Sequence, residues 1–189
     1  MSDTAFQRMT VEEFLHWEDR QEPKYELVDG RPVMMTGGTA AHGDLRFNIC
    51  AHFKQGLRGR PCRAHLDLKV VCGNANVRYP DVQIDCGPTL PRDVRASRPT
   101  VVVEVVSPSS RATDYMAKVR DYGTVPSITT YLIVSQEDRQ VTVLRRVGDL
   151  LELEAVLEGA EDVVDLPEVG LTLPLAVVYD ANIPAPGAP

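Results

Sequence analysis

Two carboxylates stand out in the sequence because their surroundings give no local reason for a charge. Glu104 lies in the segment TVVVEVVS, where every other residue from 101 to 106 is valine, and Asp81 follows Pro80 in VRYPDVQID. A carboxylate buried on its own is costly unless it is protonated, paired with a cation or bound to a metal. We therefore expect a partner to face Glu104 in the folded chain.

Asp81 and Glu104 indicate metal chemistry if the two strands that carry them are neighbours in a sheet. Two adjacent carboxylates repel each other, and a divalent cation between them removes the repulsion. Their oxygen atoms are ligands that suit Mg²⁺ or Mn²⁺. The alternative interpretation is a buried ion pair, with Arg111 or Lys118 as the cation that faces Glu104.

Three segments have the pattern of helices. The segment TVEEFLHWEDR begins with Thr10 and Glu13 in a capping-box arrangement, which predicts a short amphipathic helix. Apolar residues recur at four-residue steps between residues 39 and 57, which predicts a long helix. A third helix is expected over residues 113–122, closed by Gly123.

The remaining periodic segments have the pattern of strands. A hairpin is expected where YELVDGRPVMMT folds over Asp29 and Gly30. Further strands are expected in AHLDLKVVC, VRYPDVQID, TVVVEVVS, ITTYLIVS, QVTVLRRV and LLELEAVL. Pairing of the strand at 78–85 with the strand at 101–106 would bring the two carboxylates together on one face. The order of elements predicts an α/β fold (α+β), with a mixed central sheet flanked by helices.

Length and composition are those of an ordinary globular domain. The chain has 189 residues, of which 43% are hydrophobic and 25% charged. This favours a single domain over residues 1–180 and a flexible tail over residues 181–189. No apolar run approaches the roughly 20 residues of a membrane span, and the first residues lack the pattern of a signal peptide. We therefore expect a cytoplasmic protein with no membrane partner.

The formal net charge of −7 is distributed unevenly along the chain. Residues 1–148 hold 20 basic and 18 acidic side chains, whereas residues 149–189 hold 9 acidic side chains and no basic one. Bulk electrostatic attraction to DNA is therefore not the expected mode of binding, although the near-neutral first part is compatible with a local phosphate-binding surface. The absence of a GxSxG motif argues against a Ser-His-Asp hydrolase.

The four cysteines are scattered, and they form no CxxC pair. They are Cys50, Cys62, Cys72 and Cys86, and most of them have apolar or strand-like neighbours. We expect four free buried thiols rather than disulfides or a metal site.

Several motifs, taken in their order along the chain, resemble the Uma-two family of putative restriction endonucleases, which belongs to the PD-(D/E)XK nuclease superfamily. The matching stretches are YELVDG at 25–30, His42, YPD at 79–81, VVVEVVSPSSRATD at 101–114, Lys118 with Tyr122, and VGLTLPLAVVYD near the end. The resemblance covers about Met9 to Asp180. It depends on the whole set of motifs, because a PD dipeptide alone is uninformative. The resemblance implies a restriction-endonuclease-like core.

The resemblance also implies a metal-dependent endonuclease that hydrolyses DNA phosphodiester bonds with Mg²⁺ or Mn²⁺. Such hydrolysis needs a nucleophilic water and positive charge where the transition state gathers negative charge. The implied catalytic residues are Glu26, Asp81, Glu104 and Lys118. The implied metal ligands are Asp81, Glu104 and the backbone carbonyl of Val105, with Glu26 as an outer or second ligand. DNA is the implied partner, and a homodimer is a common assembly among restriction-type nucleases.

The sequence departs from the superfamily pattern at one important position. Val106 stands two residues after Glu104, where the superfamily usually has a lysine. Lys118 on the following predicted helix is the preferred replacement, and Lys69 on a neighbouring strand is the weaker candidate. The missing lysine leaves a second hypothesis open, that the protein is a catalytically inactive nuclease fold that binds nucleic acid or a protein.

Two other residues of the resemblance also have a purely structural interpretation. Glu26 is placed to form an ion pair with Arg31 across the predicted hairpin. His42 is equally compatible with an ordinary polar residue at the start of the long helix. The positions of their side chains in the folded chain decide between these interpretations.

Overall fold

The computed structural model describes residues 8–107 and 113–179, without the side chains of residues 113–115. The helices are α1 (Val11–Glu18), α2 (Ala40–Gly56), α3 (Thr113–Gly123) and α4 (Leu175–Val178). The strands are β1 (Tyr25–Val28), β2 (Arg31–Met34), β3 (Arg63–His65), β4 (Val70–Cys72), β5 (Asn76–Arg78), β6 (Val82–Asp85), β7 (Pro99–Val106), β8 (Thr130–Ser135), β9 (Val141–Val147), β10 (Leu150–Leu157), β11 (Val163–Leu166) and β12 (Leu171–Pro174). The tail expected at 181–189 lies outside the described residues. None of the described helices is long and apolar enough to cross a membrane.

The predicted mixed sheet is confirmed by a six-stranded sheet with the order β10-β9-β8-β7-β6-β3. The β7–β8 pair is parallel, and the other pairs are antiparallel. β7 is near the centre of the sheet, and its residues from Pro99 to Val105 are buried. This explains the valine run, because a central strand must be apolar on both faces.

Helices cover the two faces of this sheet. α2 packs on β3, β6 and β7, and its residues Leu45, Ile49 and Phe53 join one large apolar core. This confirms the long helix that the four-residue apolar steps predict. The opposite face has a second core, to which α3 contributes Tyr122 beside Val102 of β7. Glu104 is two residues after Val102, so it faces the α3 side of the sheet.

A smaller sheet has the order β2-β1-β5-β4 and lies next to α1. The predicted capping box of α1 is present, since Thr10 and Glu13 bond each other's backbone N–H. The predicted hairpin is also present, with positive φ angles of 48° at Asp29 and 76° at Gly30. A two-residue hairpin turn whose twist matches that of its strands requires positive φ angles at both central residues.

Two segments that were expected to be single strands are each divided between the two sheets. AHLDLKVVC contains β3 of the large sheet and β4 of the small sheet, and VRYPDVQID contains β5 of the small sheet and β6 of the large sheet. Asp67, with a φ of 54°, interrupts the first segment. Pro80, which has no N–H for a strand ladder, interrupts the second. Asp81 consequently lies where the chain passes from one sheet to the other.

The expectation of four free thiols is wrong for two cysteines. Cys62 and Cys86 form a disulfide, and their Cα atoms are 4.0 Å apart. Cys62 precedes β3 and Cys86 follows β6, and the register of this antiparallel pair places them opposite each other. Spacing along the sequence does not reveal such a register. Cys50 and Cys72 are free and buried, as expected.

Candidate active site

The predicted site residues meet in an open cleft of about 910 Å³. The β1–β2 hairpin, the start of α2, α3 and one end of the β6–β7 pair border the cleft. Among the residues that the sequence indicated, Glu26, His42, Asp81, Glu104, Val105 and Lys118 line it. Lys69 does not border this cleft.

The pairing of β6 with β7 brings the two carboxylates to the same end of the sheet. The two strands are antiparallel, and Val82 is the cross-strand partner of Val103. The residue before Val82 therefore lies beside the residue after Val103, which makes Asp81 a neighbour of Glu104. This is the strand pairing that the sequence predicts.

Glu104 is held by two side chains of α3. Its side chain is 5% exposed, and Lys118 Nζ donates to Oε2 at 2.9 Å. Tyr122 donates its hydroxyl to Oε1 at 2.5 Å. Lys118 and Tyr122 are four residues apart, so they share one face of the helix. Lys118 is thus one partner of Glu104, while Arg111 lies outside the described residues.

The environment of Glu104 opposes its negative charge. Burial raises the pKa of Glu104 from 4.5 to about 7, and the nearby charges of Asp81 and Glu26 act in the same direction. The ammonium of Lys118 and the hydroxyl of Tyr122 lower this pKa and only partly offset the increase. The site therefore gains from additional positive charge near Glu104.

Asp81 is held from the backbone and from α2. The N–H of Val105 donates to Asp81 Oδ2 at 2.7 Å. His42 Nε2 is 3.2 Å from the carboxylate, and Arg46 Nε is 3.3 Å from Oδ1. His42 also packs on Gly38, where an added Cβ would be 2.6 Å from Nδ1 of the ring. The His42 imidazole is therefore part of the cleft wall rather than an exposed helix-entry group.

The backbone of Val105 faces the Asp81 side of β7. The carbonyl of Val106 accepts a hydrogen bond from the N–H of Gln136, on the β8 side. Successive residues of a strand direct their backbone groups to opposite edges, and the N–H and C=O of one residue share an edge. The carbonyl of Val105 therefore shares the edge at which its N–H bonds Asp81, as the implied ligand role requires.

A metal ion at this site would have few protein ligands. Among the described side chains, which are those of residues 8–107 and 116–179, no group of three His, Cys, Asp or Glu could hold a metal ion. The donor set that the cleft offers is Asp81, Glu104 and the carbonyl of Val105. These are hard oxygen donors, and Mg²⁺ commonly binds through one or two carboxylates and keeps several waters. The donor chemistry thus fits Mg²⁺ or Mn²⁺ and does not fit a soft metal.

Glu26 borders the cleft, but both of its oxygens have partners. Arg78 Nη1 donates to Oε2 at 2.7 Å, and the N–H of Tyr79 donates to Oε1 at 3.1 Å. Arg78 is 2% exposed, and its Nε and Nη2 donate to Asp121. The alternative pair of Glu26 with Arg31 is wrong, because a buried arginine of β5 takes that place. Glu26 as an outer metal ligand stays a prediction.

Lys69 belongs to a different cluster, on the side of α1. Its Nζ is 2.7 Å from Glu18 Oε2, and its side chain is 5% exposed. The hydroxyl of Tyr79 donates to the other oxygen of Glu18 at 2.7 Å. Lys69 is therefore committed to a buried ion pair away from the cleft, whereas Lys118 is in contact with Glu104.

Sequence reasoning missed two residues that contact the predicted ones. Arg46 is four residues after His42, and this helical spacing was the signal that both reach Asp81. Arg78 precedes the YPD motif by one residue, and nothing in its local sequence distinguishes it from an exposed arginine. Its burial depends on Glu26 and Asp121, which are distant along the chain.

Comparisons with known proteins agree with this architecture. A crystal structure of a putative nuclease belonging to DUF820 from Anabaena variabilis superposes with a TM-score of 0.74 at 19% identity. The match covers 90% of this chain and 97% of that chain. At this identity the likeness concerns the fold, which is a nuclease-like mixed sheet flanked by helices.

Two uncharacterized proteins of Synechocystis sp. are similar in sequence. One is 33% identical over 182 residues, which cover 92% of this chain and 93% of the relative. The other is 26% identical over 156 residues, which cover 80% and 88%. The family model of Uma2, described as "Putative restriction endonuclease", matches residues 11–176. These residues make up most of the chain and include the cleft and the four-stranded and six-stranded sheets, and the chain therefore belongs to the Uma2 family of putative restriction endonucleases.

Proposed function

We propose that this protein is a metal-dependent endonuclease that hydrolyses DNA phosphodiester bonds in the cleft that contains Asp81 and Glu104. The observation that carries the proposal is the 2.9 Å contact between Lys118 Nζ and Glu104 Oε2. Val106 leaves β7 without the lysine of the superfamily pattern, and α3 supplies an amine to the same carboxylate. The same contact pairs a buried carboxylate with a cation, so the cleavage assay below decides between a catalytic lysine and a purely structural ion pair.

Asp81, Glu104 and the carbonyl of Val105 would hold the Mg²⁺ or Mn²⁺ ion. When bound, the ion supplies a Lewis acid for the phosphoryl group and a water of lowered pKa. The pKa of Glu104, raised by its burial and by the charges of Asp81 and Glu26, supports this assignment, because a cation would relieve both effects.

The protein's own side chains hold the carboxylates and provide positive charge. Tyr122 and Lys118 fix the two oxygens of Glu104, and the Val105 N–H fixes Oδ2 of Asp81. The Lys118 ammonium is also a donor for a phosphate oxygen, and it can stabilise the charge that develops in the transition state.

The test is the cleavage of supercoiled plasmid and of single-stranded DNA with Mg²⁺ or Mn²⁺. Asp81→Asn, Glu104→Gln and Lys118→Met should each reduce the cleavage rate by about a hundredfold or more, as expected when a catalytic group is lost. Lys54→Met is the matched control, because Lys54 is an exposed lysine on α2 outside the cleft. This control variant should cleave at the wild-type rate.

Equal cleavage by wild type and the three site variants would refute the proposal, as would no cleavage by the wild type with either metal. Binding of DNA by the wild type without any cleavage would favour the alternative of an inactive nuclease fold that acts as a binding module. Comparison of single-stranded DNA, duplex DNA and RNA in the same assay would establish the substrate.

A further inference from the structure

Two basic side chains lie on the wall of the cleft next to Asp81, and one aspartate holds both. Lys24 Nζ is 3.0 Å from Asp67 Oδ2, and Arg46 Nη2 donates to Asp67 Oδ1 at 2.5 Å. All three residues line the cleft. The side chain of Lys24 is 51% exposed and that of Arg46 is 22% exposed, so both are accessible from the cleft.

Asp67 lies at a turn of the chain between the two sheets. Its φ of 54° is in the left-handed region, which aspartate adopts more readily than most residues other than glycine. The chain turns here from β3 of the large sheet to β4 of the small sheet. The turn directs the Asp67 carboxylate to the two cations of the cleft.

The Arg46 guanidinium lies between two carboxylates. Its Nη2 donates to Asp67 Oδ1, and its buried Nε is 3.3 Å from Asp81 Oδ1, an ion-pair distance without hydrogen-bond geometry. The buried Nε cannot be reached from the cleft, so a bound anion would meet the exposed part of the side chain, which is 22% of its surface. There it would add a third acceptor to the guanidinium.

We propose that Arg46 and Lys24 form a phosphate-binding subsite, which takes a phosphodiester group of a nucleic-acid strand beside the Asp81 and Glu104 carboxylates. The guanidinium fork suits phosphate oxygens, and the lysine adds a second positive charge. Asp67 makes the hydrogen bond that holds Arg46, so Arg46 does not depend on Asp81 for its position. The identity of the ligand rests on the proposed nuclease function, but the presence of the subsite is tested separately.

The test measures the binding of a short fluorescent DNA strand by anisotropy, in EDTA, over a series of salt concentrations. Arg46→Gln should weaken binding by about tenfold, as expected for the loss of a charge-assisted contact. It should also reduce the slope of log K against log salt by about one. Arg58→Gln is the matched control, because Arg58 is an exposed arginine in the turn that follows the far end of α2 and does not line the cleft. Its affinity and salt slope should equal those of the wild type.

Two more variants guard against a folding defect in Arg46→Gln, which circular dichroism would reveal. Lys24→Gln changes a half-exposed side chain, and Arg46→Lys keeps the charge but removes the fork. Both should bind the strand more weakly than the wild type. Calorimetric titration with Mn²⁺ alone should show that Arg46→Gln binds the ion at least as tightly as the wild type, because the variant removes a positive charge 3.3 Å from Asp81.

The outcomes separate this proposal from the proposed function. Wild-type affinity of Arg46→Gln and Lys24→Gln, or no binding of DNA by the wild type, would overturn the subsite. A wild type that binds DNA through Arg46 but does not cleave it would refute the nuclease and leave the subsite in place. Cleavage and binding that both survive Arg46→Gln would overturn the subsite and leave the nuclease.

Discussion

Glu104 should make the metal-free protein less stable as the pH rises, and Glu104→Gln should remove this dependence. Burial, together with the charges of Asp81 and Glu26, raises the pKa of Glu104 from 4.5 to about 7 in the folded state. A difference of one pKa unit between the folded and unfolded states corresponds to about 1.4 kcal/mol. Ionisation of Glu104 therefore lowers the free energy of unfolding by about 3 kcal/mol. A carboxylate bound between Lys118 and Tyr122 thus remains costly because it is buried.

The sign follows from the two protonation states. Below pH 4.5, Glu104 is protonated in the folded and the unfolded chain, and the full stability is present. Between pH 4.5 and about pH 7, the unfolded chain releases the proton while the folded chain keeps it, so the free energy of unfolding falls. Above about pH 7, both states are ionised and this contribution is constant.

The assay is urea unfolding in EDTA at several pH values, under non-reducing conditions that keep the disulfide. The free energy of unfolding of the wild type, minus that of Glu104→Gln, should fall by about 3 kcal/mol from pH 4.5 to 7. Glu152→Gln, which changes an exposed glutamate of β10, should run parallel to the wild type. Addition of Mn²⁺ above about pH 7 should stabilise the wild type and not the Glu104→Gln variant. A constant difference between wild type and Glu104→Gln would refute the burial argument.

Three further changes have defined outcomes. Arg78→Met should lower the free energy of unfolding by about 3–5 kcal/mol, because Glu26 and Asp121 lose the buried cation that they share. A decrease of less than about 1 kcal/mol in urea unfolding would contradict this. Replacement of Cys62 and Cys86 by alanine should cost about 3 kcal/mol, since the disulfide closes a 24-residue separation, and dithiothreitol should lower the unfolding midpoint of the wild type alone. Lys69→Met should destabilise the protein, because Glu18 loses its buried partner, but the folded fraction should keep the wild-type cleavage rate. A loss of cleavage greater than the loss of folded protein would return Lys69 to the candidate site.

Much of the fold was predictable because its signals are local. The capping box of α1, the positive-φ turn at Asp29 and Gly30, and the apolar steps of α2 each depend on a few consecutive residues. The mixed sheet followed from the order of such elements. The division of two predicted strands between two sheets was not predictable from periodicity, because the alternation of side chains continues on both sides of the interruption.

The site was predictable where the polarity of a residue differs from that of its neighbours in the sequence. Glu104 is conspicuous because a carboxylate in a valine run needs a partner, and Asp81 is conspicuous because it follows a proline within a strand-like segment. The choice between Lys69 and Lys118 was not fixed in the same way, because both are single lysines on amphipathic elements. Only packing shows that Lys69 meets Glu18 and that Lys118 meets Glu104.

The sequence by itself determined most of the helices and strands up to β10, which strand is central, and which carboxylate is anomalous, since these properties depend on local composition and period. It did not indicate β11, β12 or α4. The tertiary structure alone decided the partners: Arg78 between Glu26 and Asp121, Arg46 beside Asp81, and the disulfide between β3 and β6. Each of these contacts joins residues far apart in the chain. The distances between these residues depend on the register of the strands and on the rotation of the helices on the sheet. Register and rotation are fixed only when the whole core packs.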